Sequence, residues 1–391
     1  MSAAEAFAAH ATPERAEAAR LMTICNSCRY CEGLCAVFPA METRRAFADA
    51  DLDYLANLCH SCGACFTDCQ FSPPHEFSVN VPKTLAAVRA QSYAANAWPR
   101  ALAPMFTRNG LAVSVIAALS VAAFILGFAY AADPGAFLKP ALGPGAFYKV
   151  MPHNAMAALF GAVFVYALGA LAMSVRAFWR GAGEAERDFS ARDIWQACKD
   201  AGSLRYLKGG GAGCVNADEY PETARRNFHH AAFYGFALCF ASTSVATLYH
   251  YAGWEAPYAL YDLPVVLGIA GGAGLILGPA GLLFTKRRRD PELRDPARTG
   301  MEIAFIAMLL ATGLSGMALL VLRDTAAMGP LLALHLGIVF ALFLTLPYGK
   351  FVHGFHRFAA LTRYSAERAR LEEEEAVALT AATTGQGGTR P

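Results

Sequence analysis

An all-α membrane protein is what this sequence predicts, and two observations carry the prediction. Six long apolar stretches occupy most of the chain after residue 110, and a short segment with eight regularly spaced cysteines precedes them. Histidines inside the apolar stretches narrow the class further. Composition agrees: the chain is 55% hydrophobic and 16% charged, whereas about a quarter of the residues of a soluble domain are charged. A net charge of +2 decides nothing by itself. The expected partner is a lipid bilayer, and no nucleic acid is expected.

The chain opens with MSAAEAFAAHATPERAEAAR, which lacks the apolar core of a signal peptide and looks like an amphipathic helix. Two runs follow, CNSCRYCEGLC at 25–35 and CHSCGACFTDC at 59–69. Both read C-x2-C-x2-C-x3-C, and each cysteine of the second lies 34 positions after its counterpart (25 to 59, 28 to 62, 31 to 65, 35 to 69). Three thiolates at this spacing wrap one corner of a [4Fe–4S] cube, while the fourth points toward a second cube. Crossed ligation is therefore expected, with Cys25, Cys28, Cys31 and Cys69 on one cluster and Cys59, Cys62, Cys65 and Cys35 on the other. The usual proline directly after the fourth cysteine is replaced by Ala36 and Gln70, with Pro39 and Pro73 slightly further on. Structural zinc favours paired CxxC motifs over a triplet with a trailing fourth cysteine. A secreted disulfide framework conflicts with the N-terminus, so the thiols are expected in the cytoplasm. Cys198 and Cys214, placed in a polar loop, and Cys239, in an apolar helix, read as bystanders.

The apolar stretches cover approximately 111–132, 153–175, 229–251, 263–285, 302–322 and 331–353. Each is long enough to cross about 30 Å of hydrocarbon as a helix of about 20 residues. Basic residues crowd the connection at 176–227 and the KRRR run at 286–289, and they are sparse in the other connections. The positive-inside rule then places both termini in the cytoplasm of a multi-pass protein of a bacterial-type inner membrane. Three segments follow: a cluster domain at 1–100, a membrane domain at 101–360, and a charged tail at 361–391, read as a short exposed helix running into disorder.

Histidine in lipid is costly without a partner, so an intramembrane imidazole points to function. His229, His230 and His250 fall on the third stretch, and His335 and His353 on the sixth. On one continuous helix His335 and His353, 18 residues apart, share a face about 27 Å apart along the axis. His250 is about 60° off a shared face with His229 and about 160° off with His230. The two stretches are antiparallel, which suggests two bis-histidine haem b sites: His353 with His229 or His230 at the inner end, and His250 with His335 at the outer end. Arg225, Arg226, Lys350 and Arg357 are candidates for holding haem propionates. His153 and His356 read as interfacial residues facing headgroups, and His10, His60 and His75 as structural or solvent-facing. The fold class is thus a cytochrome b-like six-helix transmembrane bundle behind an N-terminal cytoplasmic, α-helical, ferredoxin-like domain for two [4Fe–4S] clusters.

The cysteine runs, LRYLKGGGAGC at 204–214, ARRNFHHAAFYGFALCFASTSVATLYHY at 224–251 and PYGKFVHGFHRFAALTRY at 347–364 together resemble the tricarballylate or citrate utilisation protein B family over nearly the whole chain. PYGKFVH is also similar to cytochrome b subunits of nitrate and heterodisulfide reductases. The resemblance implies a membrane iron–sulfur and haem protein that reoxidises a partner FAD-dependent dehydrogenase and passes electrons to the quinone pool. The chain carries no G-x-G-x-x-G after a credible strand, and GGGAG at 209–213 reads as a membrane-flanking loop. It is therefore expected to be an electron-transfer subunit, not an enzyme acting on the organic substrate by itself. Tyr249, Tyr251, Trp254 and Glu255 are candidates for a quinone pocket. Other readings are a subunit of a heterodisulfide- or nitrate-reductase-like complex, or a redox-sensing membrane module.

Overall fold

The computed structural model describes residues 10–131, 137–181, 188–211 and 213–385. Residues 1–9, read from sequence as the start of an amphipathic helix, and 386–391, read as disordered, lie outside the described residues. The chain divides into two compact units that cut across the linear boundaries expected from composition. The first comprises 1–92, 175–215 and 353–391, and the second 93–174 and 216–352.

In the first unit, α1 (Pro13–Cys28) starts where the Thr12 hydroxyl accepts from the Arg15 N–H and Pro13 opens the first turn. It stops at Arg29, which adopts the left-handed conformation (φ 55°) and donates its N–H to the Cys25 carbonyl at 2.8 Å. Helices α2 (Val37–Glu42), α3 (Asp49–Leu58), α4 (Ala64–Thr67) and α5 (Val81–Ala95) follow. Gly63 supplies the positive φ, 96°, from which α4 starts. Leu21, Met22, Phe38, Met41, Leu52, Leu55 and Leu85 form a buried core.

The second unit holds most of the long apolar helices. These are α6 (Asn109–Ala131), α8 (His153–Arg180, which runs on into the first unit), α10 (Ala224–Tyr251), α11 (Leu263–Arg288), α12 (Pro296–Leu322) and α13 (Met328–Thr345). A short α7 (Ala146–Val150) precedes α8, and α9 (Ala191–Gly202) belongs to the first unit. The extended segments among the described residues are two strands of two residues each, Cys214–Val215 and Pro221–Glu222. All six long helices have the length and composition to cross a membrane, consistent with a multi-pass membrane protein. Leu111, Leu119, Leu126, Leu277 and Val321 turn outward and are exposed, as lipid-facing side chains are.

Helices α10 and α11 meet backbone to backbone. A Cβ added at Gly278 would lie 2.4 Å from the Ala232 nitrogen, and one at Gly235 would lie 2.8 Å from the Gly274 carbonyl carbon and the Leu275 nitrogen. Small residues permit this approach.

The sixth stretch departs from expectation. It is not one helix through 353: α13 ends at Thr345, a 3-10 turn spans Leu346–Tyr348, and Gly349 is extended (φ −133°, ψ −164°). Pro347 withdraws a backbone donor at the break. The Tyr348 hydroxyl fixes the turn by donating to the Trp98 carbonyl at 3.0 Å, with the Tyr166 hydroxyl 2.6 Å away. His335 and His353 therefore sit on different helices, and the shared-face argument fails.

A new helix, α14 (Val352–Gly385), then runs through the segment expected to be a short exposed helix leading into disorder. Its first part is core: Ala360, Leu361 and Tyr364 are buried with Leu21, Phe38 and Leu55 of the first unit. Charges reinforce that packing. Glu367 accepts from Arg44 at 2.6 Å, Arg363 at 2.9 Å and the Tyr54 hydroxyl at 2.9 Å, while Asp51 accepts from Arg44 at 2.8 Å. Both guanidinium groups lie over the Tyr54 ring, at 4.0 and 4.9 Å. The sequence hid this because charged residues dominate its composition, while the apolar side recurs only at helical spacing.

His356, read as interfacial, is fully buried beside the Phe178 ring at 5.0 Å. It lies beyond the helix break, in a packed helix of the first unit. Burial pushes its imidazole down to about 4 from an ordinary value of about 6.5. The folded state then binds fewer protons than the unfolded state between these values. Stability is full above about pH 6.5 and falls as pH drops toward 4, by at most about 1.4 kcal/mol per pH unit. Denaturation of the detergent-solubilised protein at pH 7 and pH 5 is expected to show this loss, and His356→Phe is expected to reduce the slope by up to one proton. An unchanged slope in the variant would refute the assignment.

Candidate iron–sulfur and haem sites

The loop and helix ends of the first unit gather the eight thiols into two groups. Cys25, Cys28, Cys31 and Cys69 line one cavity; Cys35, Cys59 and Cys62 line another, and Cys65 borders both. Each run's fourth cysteine thus lines the cavity that holds most of the other run's thiols. Local geometry produces it. Cys25 and Cys28 occupy the last turn of α1, the left-handed Arg29 turns the chain sharply, and Cys69 follows α4 on the lining of the first cavity. Backbone N–H groups approach sulfurs in both groups: Ser61 toward Cys59 and Phe71 toward Cys69, both at 3.4 Å, and Val37 and Phe38 toward Cys35.

Burial first, and neighbouring thiols second, push Cys25 and Cys31 up to about 12 and Cys35 and Cys65 well above the ordinary thiol range. Free thiols here hold their protons, so metal must displace them on binding. Among the described residues no three His, Cys, Asp or Glu side chains converge as they would around one ion. The thiolates of a four-iron cube sit on separate corners, and two spread sets of four fit that requirement.

The two groups differ in surroundings. Arg29, Tyr30, Glu32, Asp68 and Gln70 beside the first are exposed. The second is covered by the glycine-rich segment, which the sequence predicts to be a membrane-flanking loop. Gly210 donates its N–H to the Leu34 carbonyl at 2.9 Å, and Val215 donates to the Cys62 carbonyl at 3.0 Å. Gly209 (φ 47°) is packed so closely that an added Cβ would stand 2.8 Å from Ala64 Cβ and 3.8 Å from Cys62 Sγ. Cys214, read as a bystander, is buried with Leu204 and Leu207 against Cys62. Cys198 is exposed on helix α9, which Ser190 and Asp193 cap, and is not in a loop.

Two guanidinium groups meet at the second group. Arg89 donates to the Ala56 carbonyl (3.1 Å), the Cys59 carbonyl (2.5 Å) and the Ser61 hydroxyl (3.1 Å). Arg357 donates to the Asn57 carbonyl (3.3 Å) and the Cys59 carbonyl (2.7 Å). Arg357 is therefore committed to the cysteine segment and not to a propionate. Lys350 pairs with Glu302 at 2.7 Å, and Lys286 is on the same carboxylate. Sequence reasoning missed Arg89 because a lone arginine in a soluble helix carries no signal.

Of the candidate haem ligands, His335 has the most defined setting. The Ser315 hydroxyl donates to the Ala311 carbonyl at 2.7 Å, so its oxygen accepts from His335 Nδ1–H at 2.9 Å. Nε2 is then the nitrogen left with a lone pair, as a metal-ligating histidine requires. Gly316 makes room for the ring, since a Cβ there would stand 3.1 Å from His335 Cε1. His229 and His230 are half-buried on α10, one and two positions past Phe228, whose ring packs on Gly281 of α11. His353 stands at the start of α14 in the first unit. His250 stacks on His153, with ring centroids 3.6 Å apart and planes 21° apart, and Tyr148 and Tyr251 lie edge-on to both. His153 is thus buried against another imidazole and does not face headgroups. Trp254 sits 4.2 Å from the Tyr249 ring.

Comparison with known proteins places this arrangement. The family model for citrate utilization protein B matches residues 104–374, and that for the Fer4-like domain of citrate utilization protein B matches residues 18–95. The chain belongs to the citrate utilization protein B family. It is 49% identical over 361 residues to citrate utilization protein B of Escherichia coli, covering 92% of this chain and 94% of that protein. No solved structure matches. In this citrate utilization protein B family member the Fer4-like match contains all eight cysteines of the two runs. The longer match contains His229, His230, His250, His335 and His353.

Proposed function

We propose that the chain is a membrane electron-transfer protein of citrate utilisation that reoxidises a partner FAD-dependent dehydrogenase of the tricarballylate or citrate type and delivers electrons to quinone. The observation that carries this reading is the gathering of eight thiols around two cavities that share Cys65, in a chain that also bears six membrane-length helices. Cys25, Cys28, Cys31 and Cys69 would hold one [4Fe–4S] cluster, and Cys59, Cys62, Cys65 and Cys35 the other. Each cluster supplies a one-electron relay when bound. His229, His230, His250, His335 and His353 are the candidate axial ligands for one or two haems b. The electron balance closes: a reduced flavin releases two electrons and two protons, the relay carries the electrons singly, and a quinone takes up two electrons and two protons.

Three stretches of the first unit bracket two membrane-length helices and then four more. Even numbers of crossings return the chain to the side it left, which supports one cytoplasmic cluster unit and, with the basic connections, cytoplasmic termini. A subunit of a heterodisulfide- or nitrate-reductase-like complex is the alternative, with midpoint potentials that fall from thiol-bound to histidine-bound centres.

Iron, labile sulfide and haem analysis of protein purified in mild detergent, with reduced-minus-oxidised spectra, tests the proposal. About eight non-haem irons per chain and a b-type band are expected. Cys25→Ser is expected to lose about half of that iron and all electron transfer from reduced flavoprotein to quinone. Clusters without haem would remove the histidines from the relay, and full transfer in the variant would reject the relay itself.

A further inference from the structure

The two thiol groups share a spacing but not a setting, and the difference assigns them an order. Around the first group, exposed residues bring the surface to the sulfurs: Tyr30 is 72% exposed, and Tyr30 and Gln70 line the cavity itself. Asp68, exposed beside Cys69, adds negative charge. The second group lies beneath the 204–215 segment, held by the backbone bonds of Gly210 to Leu34 and Val215 to Cys62. Its neighbours His60, Ser61, Gly63, Ala64, Val37 and Phe38 are buried. Arg89 and Arg357 place two permanent positive charges on the Cys59 carbonyl.

Arg357 lies five residues after Val352, where the chain leaves the second unit. Four residues, about 6 Å of helix axis, separate it from His353.

We infer that the first group, Cys25, Cys28, Cys31 and Cys69, is where a soluble donor delivers electrons, and that the second, Cys59, Cys62, Cys65 and Cys35, receives them from it and passes them on. The order rests on the cluster reading above. Reduction adds one negative charge to a centre, and nearby guanidinium groups favour that state while a nearby carboxylate opposes it. Arg29, Glu32 and Asp68 beside the first group sum to one negative charge, against two positive charges from Arg89 and Arg357 at the second, and this asymmetry draws an electron from the first group to the second. The glycine-rich segment keeps an external donor from short-circuiting this order.

The test uses the full chain in detergent, with free reduced FMN as the donor. EPR-monitored potentiometry of wild type, Cys28→Ser and Cys62→Ser assigns one signal to each group. Arg357→Gln is expected to lower the reduced-to-oxidised ratio of the second-group signal on the order of tenfold at the wild-type midpoint, and to leave the first-group signal in place. In stopped flow, the second-group signal left in Cys28→Ser is expected to form about tenfold more slowly than the first-group signal left in Cys62→Ser. Where a serine variant loses both clusters, steric shields replace it. Gln70 is exposed and lines the first cavity, so Gln70→Trp is expected to slow reduction by FMN, while Lys208→Trp, at an exposed position over the second group, leaves it unchanged. The opposite ranking of the two shields, or a shift of the first-group signal alone in Arg357→Gln, overturns the order while the clusters stand. A wild type without two cluster signals overturns the cluster reading together with the order.

Discussion

Gly278→Val is expected to prevent the membrane helices from assembling. The added Cβ would stand 2.4 Å from the Ala232 nitrogen, 2.8 Å from Ala232 Cα and 2.8 Å from the Phe228 carbonyl oxygen. All three are backbone atoms of α10, so no side chain can rotate away. The only relief is to move α10 off α11. That movement would also undo the contacts at Gly235, Gly271 and Gly274, whose added Cβ atoms likewise meet backbone at 2.7 to 2.8 Å. Lipid offers no hydrophobic drive to hold helices together, so close packing supplies much of their attraction. The loss is expected at the upper end of overpacking penalties, about 3 kcal/mol. Thermal unfolding in detergent, followed by size-exclusion chromatography, measures it. Gly161→Val on α8, where nothing lies within 4 Å, serves as the control and is expected to melt with wild type. Equal melting of the Gly278 variant would show that the helices do not depend on this contact.

Glu367→Ala is expected to cost about 3 to 5 kcal/mol and to loosen α14 from the cysteine unit. Glu367 holds Arg44 and Arg363, whose side chains are only 8% and 5% exposed, and receives the Tyr54 hydroxyl. Removing the carboxylate leaves two buried positive charges with Asp51 as the remaining acid in the network. The desolvation cost of those charges is already incurred in the fold, so the loss exceeds that of a surface pair. Chemical denaturation of the variant, read by the far-ultraviolet helix signal and by iron release, checks the expectation. Iron release at lower denaturant than in wild type follows if α14 seals the cysteine unit. Arg44→Met combined with Glu367→Leu is expected to recover part of the loss, because it removes charge from both sides. A single variant as stable as wild type would show that water reaches the site.

Much of this architecture was legible in the residues. The six helices were, because crossing lipid demands an apolar run that few other structures need. So was the Fer4-like character of the cysteine segment, because C-x2-C-x2-C-x3-C occurs there twice at a fixed spacing. The break after α13 carried a signal in Pro347 and Gly349 that the overall apolarity of the stretch outweighed. Helix α14 was obscured for the opposite reason: Glu and Arg set its composition, and Ala360, Leu361 and Tyr364 show their shared side only at helical spacing. The cover over the second thiol group and the role of Arg89 depend on contacts between segments far apart in sequence. No local pattern encodes such contacts.

The discontinuity of the first unit constrains its biosynthesis. Every cysteine of the two runs leaves the ribosome within the first 69 residues, yet Ala197 of its core arrives only after two apolar helices, and Ala360, Leu361 and Tyr364 only after all six. Until then the nascent unit has an open flank, and Arg44 and Asp51 wait for Glu367 and Arg363. Maturation of the cysteine unit is thereby tied to completion of membrane insertion. A truncated chain that keeps every thiol but ends before α14 is a species whose half-built core invites proteolysis.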